Sequence, residues 1–259
     1  MNDLNALIAQ LSEISGLAEG FIWHAALVFM RVGAAVALFP ALGEQMVPQR
    51  IKLGAAVAVT LAVAPAVSGT EAVPPGLLLP LVTEATAGLI LGFGLRLLIL
   101  GLQTAGTIAA QSVSLAQMFA GTGPEPQPIV SNLLAFAGLA LFVSMGGLER
   151  AVALLVMSYD LIPPGHLPAA ADMAEWGLRR ISSVFALSFS LAAPFVIAAL
   201  LYNLALGAIN RAMPQLMVSF VGAPALTLGG LALLALASPI LLTIWRAAMD
   251  AALAAPLGG

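Results

Sequence analysis

Residues 77–118 read LLLPLVTEATAGLILGFGLRLLILGLQTAGTIAAQSVSLAQM, and within that run only Glu84 and Arg96 are charged. A helix rises 1.5 Å per residue, so about 20 apolar residues cross the roughly 30 Å of bilayer hydrocarbon. The run is far longer than one straight crossing needs. It predicts either a span with a protruding end or two helical pieces broken near Gly101 or Gly106. In lipid, a segment must satisfy its own backbone hydrogen bonds, which leaves helix as the conformation for such a run.

Working outward, five more stretches approach spanning length: Phe21–Phe39, Ile51–Val67, Ile129–Met157, Ile181–Leu206 and Pro224–Met249. Pro40 follows the first, and Pro74-Pro75-Gly76 breaks the chain after the second. Within residues 1–20, Leu4, Leu7, Ile8, Leu11 and Ile14 recur at helical spacing beside acidic residues, which predicts an amphipathic N-terminal helix. The same stretch has no Lys or Arg and does not read as a cleavable signal. Residues 158–180 form the longest polar connector. They hold Pro163-Pro164-Gly165, and then Met173, Trp176, Arg179 and Arg180, the pattern of an interfacial helix leading into the fifth span. Neither a tandem repeat nor a domain break is visible. The expectation is an all-α integral membrane protein, one domain over 1–259, with about six long hydrophobic helices.

Composition agrees. Of 259 residues, 61% are hydrophobic and 8% charged, against roughly a quarter charged in a soluble domain, and mean hydropathy is +1.05. A net charge of −3 leaves no basic footprint for nucleic acid. With no Cys, thiol chemistry and Cys metal sites are excluded. Orientation is undecided by the positive-inside rule. Six crossings would place Arg150, Arg179, Arg180 and Arg246 on one side, and Arg50, Lys52 and Arg211 on the other.

The chemistry of catalysis is absent from the pattern. The two histidines, His24 and His166, are far apart, and no metalloprotease helix, nucleophile elbow or phosphate loop occurs. Asp172 and Glu175 sit at i, i+3 on the connector, where they read as a solvated helix face. His24 reads as an interface residue. The chain is not expected to be an enzyme or to carry a cofactor or metal.

Charges within spans mark either pairing or an aqueous path. Arg31 lies in the first span, with Glu84 and Arg96 in the third. The reading adopted is a buried structural pair of Arg31 with Glu84. Gly88 and Gly92 form a small-residue helix-packing pattern. Further along, Gln103, Thr107, Gln111, Ser114 and Met118 lie on one helical stripe. The stripe lines a wet, uncharged lumen or glues helices together; the sequence leaves both open. After it comes the loop 118–128, in which Met118 and Phe119 are apolar, Gly121 and Gly123 supply bending, and Pro124, Pro126 and Pro128 stiffen the return.

Asn210-Arg211-Ala-Met-Pro214-Gln215, followed by Gly222-Ala-Pro224, resembles the Asn-Arg-x-x-Pro-Gln…Gly-x-Pro signature of the FliR family. That family comprises the flagellar export-gate protein and its type III secretion, SctT-like, counterparts. The resemblance extends along nearly the whole chain, through Arg31 and Pro40, Val47-Pro48 with Arg50 and Lys52, Glu84, Ser158-Tyr159, Pro163-Pro164-Gly165 and Pro194. The family often has Gly-His where this chain has Gly147-Leu148-Glu149, so no histidine role transfers there. The resemblance implies a channel subunit that assembles with FliP- and FliQ-like proteins, and an FlhB-like protein, to pass unfolded secreted proteins. It implies helical hairpins packed in an oligomeric gate, in the bacterial inner membrane, within a flagellar basal body or an injectisome. It also implies that the loop around Met118–Pro128 faces the pore. Read from the residues alone, Asn210 and Arg211 offer donors at a helix end, Pro214 stops that helix, and Gly222-x-Pro224 sets the start of the next. The rival is a small-solute secondary transporter, which usually shows inverted halves with matching interrupted helices. An intramembrane enzyme is opposed by the missing catalytic set.

Overall fold

The computed structural model describes residues 2–67, 76, 78–113, 129–213 and 218–258, with side chains over 19–67, 76, 78–113, 129–213 and 225–258. Among these residues seven α-helices follow in order: α1 (Asn2–Val36), α2 (Gln49–Val63), α3 (Leu78–Ser112), α4 (Ile129–Ser144), α5 (Gly147–Leu161), α6 (Ala170–Ala212) and α7 (Val218–Ala254), with a 3₁₀ turn at Ala64–Ala66. Among the described residues there is no strand. The chain is an all-α integral membrane protein. Among the described residues four helices are long and apolar enough to cross a bilayer: Glu19–Val36 of α1, α3, α6, and Ala225–Ala254 of α7. Counting the interrupted pair α4–α5 as one span gives five.

Several boundaries differ from expectation, each for a physical reason. The amphipathic segment and the first span form one helix of 35 residues, because an internal glycine costs a helix only about 1 kcal/mol. The second segment yields a helix of 15 residues, short of a bilayer crossing. Pro65, lacking an N–H, turns its end into the 3₁₀ piece. The third is a single helix of 35 residues, unbroken at Gly101 and Gly106. The fourth is interrupted at Met145–Gly146, where Gly146 takes φ +71°, a left-handed conformation that glycine adopts without steric cost. The interfacial helix and the fifth span are one helix of 43 residues that includes Pro194.

Packing gathers the chain into two compact units, Met1–Arg96 with Gly146–Glu175, and Leu97–Met145 with Trp176–Gly259. In the first, Val28, Val32 and Ala35 of α1 are buried, as are Ala87, Leu91 and Leu95 of α3. Both sets run at i, i+3/i+4 spacing, so each helix turns one stripe inward. Gly88 and Gly92 set the closeness of α1 and α3. A Cβ on Gly88 would lie 2.1 Å from the Arg31 carbonyl oxygen, and one on Gly92 2.9 Å from that of Ala35.

The second unit packs α3, α4, α6 and α7. A Cβ at Gly101 would come within 2.7 Å of Val184, and one at Gly106 within 2.5 Å of the Ser131 backbone. The glycines that suggested a break are thus points of close helix packing. Trp245 is buried, and its indole N–H donates to the Leu98 carbonyl at 2.8 Å. Trp176 is buried too, donating to the Pro256 carbonyl at 3.1 Å, which ties α6 to the segment after α7.

Candidate functional site

The densest polar chemistry in the first unit is built from α1, α3, α5 and the turn after α5. Arg31 and Glu84 are both fully buried, at 0% exposure. The guanidinium grips the carboxylate at two points: Nε donates to Oε2 at 2.7 Å and Nη2 to Oε1 at 3.1 Å. Such planar fork-to-fork pairing is the strong form of the interaction and is particular to arginine. Two of the three remaining donors are also used. Nη1 reaches the Ser158 hydroxyl at 3.1 Å, and Nη2 also reaches the Ile162 carbonyl at 2.9 Å. The Tyr159 ring lies against the guanidinium, with the central carbon 3.8 Å from its centroid. The Ser158 hydroxyl in turn donates to the Leu155 carbonyl at 2.6 Å. Glu84 Oε1 accepts a third bond, from the Gly165 amide at 3.2 Å, where φ is +74°.

The helical spacing explains how these groups meet. Glu84 stands on the buried stripe of α3 one turn before Ala87 and Gly88, and Gly88 brings α3 onto the α1 backbone at Arg31. A buried charge must be paired and hydrogen-bonded to be tolerated, and this one is both. Its two charged side chains are closed off from water, and the cluster reaches the surface only at the exposed Gly165 turn. It is equipped to hold four pieces of chain in register and not to conduct an ion or move a proton.

Other polar groups of this unit are tied as well. Arg96 pairs with Glu44 in the turn after α1. Lys52 donates to the Gly43 carbonyl at 3.1 Å, and His24 Nε2 meets the Ala64 carbonyl at 2.8 Å. Gly43 has no room for a side chain, since a Cβ would lie 2.7 Å from the Ala37 carbonyl oxygen. The neighbouring Ala41 takes φ +70°.

In the second unit, Gln103 and Thr107 line a groove of about 600 Å³ together with Thr104, Ser131, Asn132 and Ser188. The Gln103 carbonyl accepts from Thr107 at 2.9 Å and from Ser131 at 2.8 Å, which ties α3 to α4. Gln111 is exposed and does not line the groove.

A family described as bacterial export proteins, family 1, matches residues 22–252. The chain belongs to it. Relatives of the same kind, each named flagellar biosynthetic protein FliR, are similar along most of their length. The one from Caulobacter vibrioides is 34% identical over 232 residues, covering 86% of this chain and 92% of that one. The one from Escherichia coli K12 is 30% identical over 217 residues, 82% and 83% of the two chains. The one from Aquifex aeolicus is 30% identical over 229 residues, 86% and 88%. The match takes in every element of the charge cluster, from Arg31 to Gly165.

The expected sites fall unevenly across the structure. Arg31 and Glu84 are brought together. Asn210 and Arg211 occupy the last turn of α6, both exposed. Ser114, the loop residues Met118, Phe119, Gly121, Gly123 and Pro124, and also Pro214 and Gln215, lie outside the described residues. Gly222 and Pro224 fall within α7, in the part whose side chains are not described. Sequence reading missed the remainder of the cluster. Ser158, Tyr159 and Gly165 stood out as part of a polar connector and of the family resemblance, with no link to the pair, yet they contact it. Their signal was proximity to a helix end, where free carbonyls await donors.

Proposed function

We propose that this chain is a channel subunit of a flagellar or type III protein export gate. It would assemble with FliP-, FliQ- and FlhB-like subunits in the bacterial inner membrane, in a basal body or injectisome, and pass unfolded substrate proteins. The observation that carries this reading is the family match across residues 22–252. Geometry supports it. Charges inside spans mark either a path or a pairing, and Arg31, Glu84 and Arg96 are each engaged in an ion pair inside the fold, which leaves none of the three to line a solute path.

The long helices also leave much of themselves uncovered. Of the spanning stretches, 33% is buried in α6 and 22% in α7. Large apolar residues such as Phe189, Leu201 and Leu204 of α6, and Leu236 and Ile240 of α7, stand exposed. These faces are suited to neighbouring subunits and lipid. On this reading the loop at Met118–Pro128 lies in the central lumen, sealing it with Met118 and Phe119, because an apolar constriction closes a pore by dewetting. On the same reading Asn210, Arg211, Pro214, Gln215, Gly222 and Pro224 form an assembly motif, running from the end of α6 into α7, that meets partner subunits.

The test is purification in mild detergent, alone and coexpressed with FliP- and FliQ-like partners. The chain is expected to be monodisperse only with them. A stable solitary monomer that transports a solute would refute the reading.

A further inference from the structure

Within the first unit, α1 and α2 enclose a cleft of about 380 Å³ that none of the interactions above fills. Its walls are Phe29, Met30 and Val36 of α1, with Leu53 and Ala56 of α2. Gly33 leaves a gap in the α1 wall, since a Cβ there would meet only the tip of Phe29, at 3.9 Å. At the end nearest the connecting turn the lining becomes polar, with Gln49 and Lys52 from the start of α2. One continuous cleft therefore joins an apolar trough to a cationic end.

The charge at that end is one-sided. Lys52 is the charged residue of the lining; Arg50 lies in the same first turn of α2, and the connecting turn's Glu44 is held by Arg96 of α3, so this end of the unit carries three cations and one carboxylate. Lys52 uses one donor on Gly43, and an ammonium group has three. Arg50 is exposed, and no acidic residue occupies the first turn of α2.

We propose that this cleft binds an anionic phospholipid, with an acyl chain between α1 and α2 and the phosphate at Lys52 and Arg50. The occupant must be apolar along most of its length and negative at one end, and the bilayer supplies that molecule at high concentration. Basic pockets between membrane helices are established holders of anionic headgroups. Size separates lipid from a partner helix. A helix with its side chains is about 10–12 Å across, whereas this cleft is at the small end of the roughly 300–1,000 Å³ of small-ligand pockets. Lys52 also has the geometry for the task, with its methylenes along the trough and its ammonium at the rim.

The experiment uses the full chain copurified with its FliP- and FliQ-like partners in dodecyl maltoside, exposed to phosphatidylglycerol or to phosphatidylcholine of the same acyl composition. Lipid retained per chain after washing is read by native mass spectrometry. Phosphatidylglycerol should be retained in preference to phosphatidylcholine. A surface-proximal Lys or Arg contributes about fivefold to binding an anionic lipid, so Arg50→Gln and Lys52→Gln should each lower phosphatidylglycerol retention about fivefold. Gly33→Leu, which fills the trough, should abolish retention of both lipids. Gly54→Leu, at a position where a Cβ meets nothing within 4 Å, should leave retention unchanged. Arg50 is exposed, so its variant tests the headgroup without threatening the fold. Equal retention of the two lipids, or wild-type retention by Gly33→Leu, would overturn the proposal. So would full displacement by inorganic phosphate alone, or capture of a partner subunit by a photo-crosslinker placed at Met30 in the assembled complex.

Discussion

Replacing Glu84 by methionine removes the carboxylate while keeping most of the side-chain volume, and it strands Arg31. The guanidinium loses its bonds of 2.7 and 3.1 Å but keeps the Ser158 hydroxyl, the Ile162 carbonyl and the Tyr159 face. None of these is charged, and at 0% exposure water does not replace the loss. Breaking one side of a buried pair costs about 3–5 kcal/mol, and the surviving acceptors and ring place this case near 3 kcal/mol. Arg31→Met is worse. It leaves Glu84 only the Gly165 amide at 3.2 Å and orphans the buried Ile162 carbonyl, which adds about 1–3 kcal/mol, for about 5 kcal/mol in all. The double variant buries no charge. Its cost is chiefly the unpaired buried Ile162 carbonyl, about 1–3 kcal/mol, since the Gly165 amide belongs to an exposed residue, so the two substitutions couple by about 5–7 kcal/mol. The assay is reversible unfolding in mixed dodecyl maltoside and SDS micelles, followed by tryptophan fluorescence. Additive effects, with the double variant losing about 8 kcal/mol, would refute the view of the pair as one structural unit. So would a loss below about 1 kcal/mol for Glu84→Met.

Gly88→Ala should prevent α1 and α3 from closing and lower yield sharply, because its Cβ would overlap the Arg31 carbonyl; Gly54→Ala, with open space, should be neutral or stabilising by about 0.5–1 kcal/mol. Thermal melting of the two purified variants compares them directly. Asn210→Ala and Arg211→Ala are expected to reduce copurification of partner subunits more than they alter permeability, and normal assembly with a leaking or blocked channel would move these residues to the pore. Replacing Met118 and Phe119 by serine should raise small-molecule leakage through the assembled complex with assembly intact, as read by dye release from proteoliposomes; wild-type tightness would remove the loop from the seal.

How legible the chain was depends on where its information resides. Arg31 and Glu84 could be matched because they are isolated charges in apolar runs, and a charge in such a setting requires a partner. Ser158 and Ile162 could not, since one contributes a common hydroxyl and the other only a backbone carbonyl. Helices longer than a bilayer were visible as long apolar runs, but their true ends were set by single residues. Pro65 shortens α2, and Gly146 interrupts what reads as one continuous apolar stretch from 129 to 157. Gly101 and Gly106 were ambiguous in principle, because the same missing side chain permits either a break or a close contact. The neighbours Val184 and Ser131, distant in sequence, decide it in favour of contact. The stripe of Gln103, Thr107 and Gln111 splits for a similar reason: one helix face meets a groove at one end and open surface at the other.

The placement of the ion pair bears on why so apolar a chain keeps it. Leu, Val and Ala faces pack in many registers with similar energy, and repacked cores lose uniqueness before they lose stability. Arg31 and Glu84 have one satisfactory arrangement, and it fixes α1, α3, the end of α5 and the Gly165 turn together. Removing both charges should therefore loosen the turn more than it destabilises the fold. The Gly165 amide is the reporter, since Glu84 Oε1 is its acceptor. In the Arg31→Met, Glu84→Met variant, hydrogen exchange over 162–166 should accelerate well beyond what global opening allows, while amides in the middle of α3 stay protected. Exchange at 162–166 that simply follows global stability would show that apolar packing alone places the turn, and the pair would then have no part in setting register.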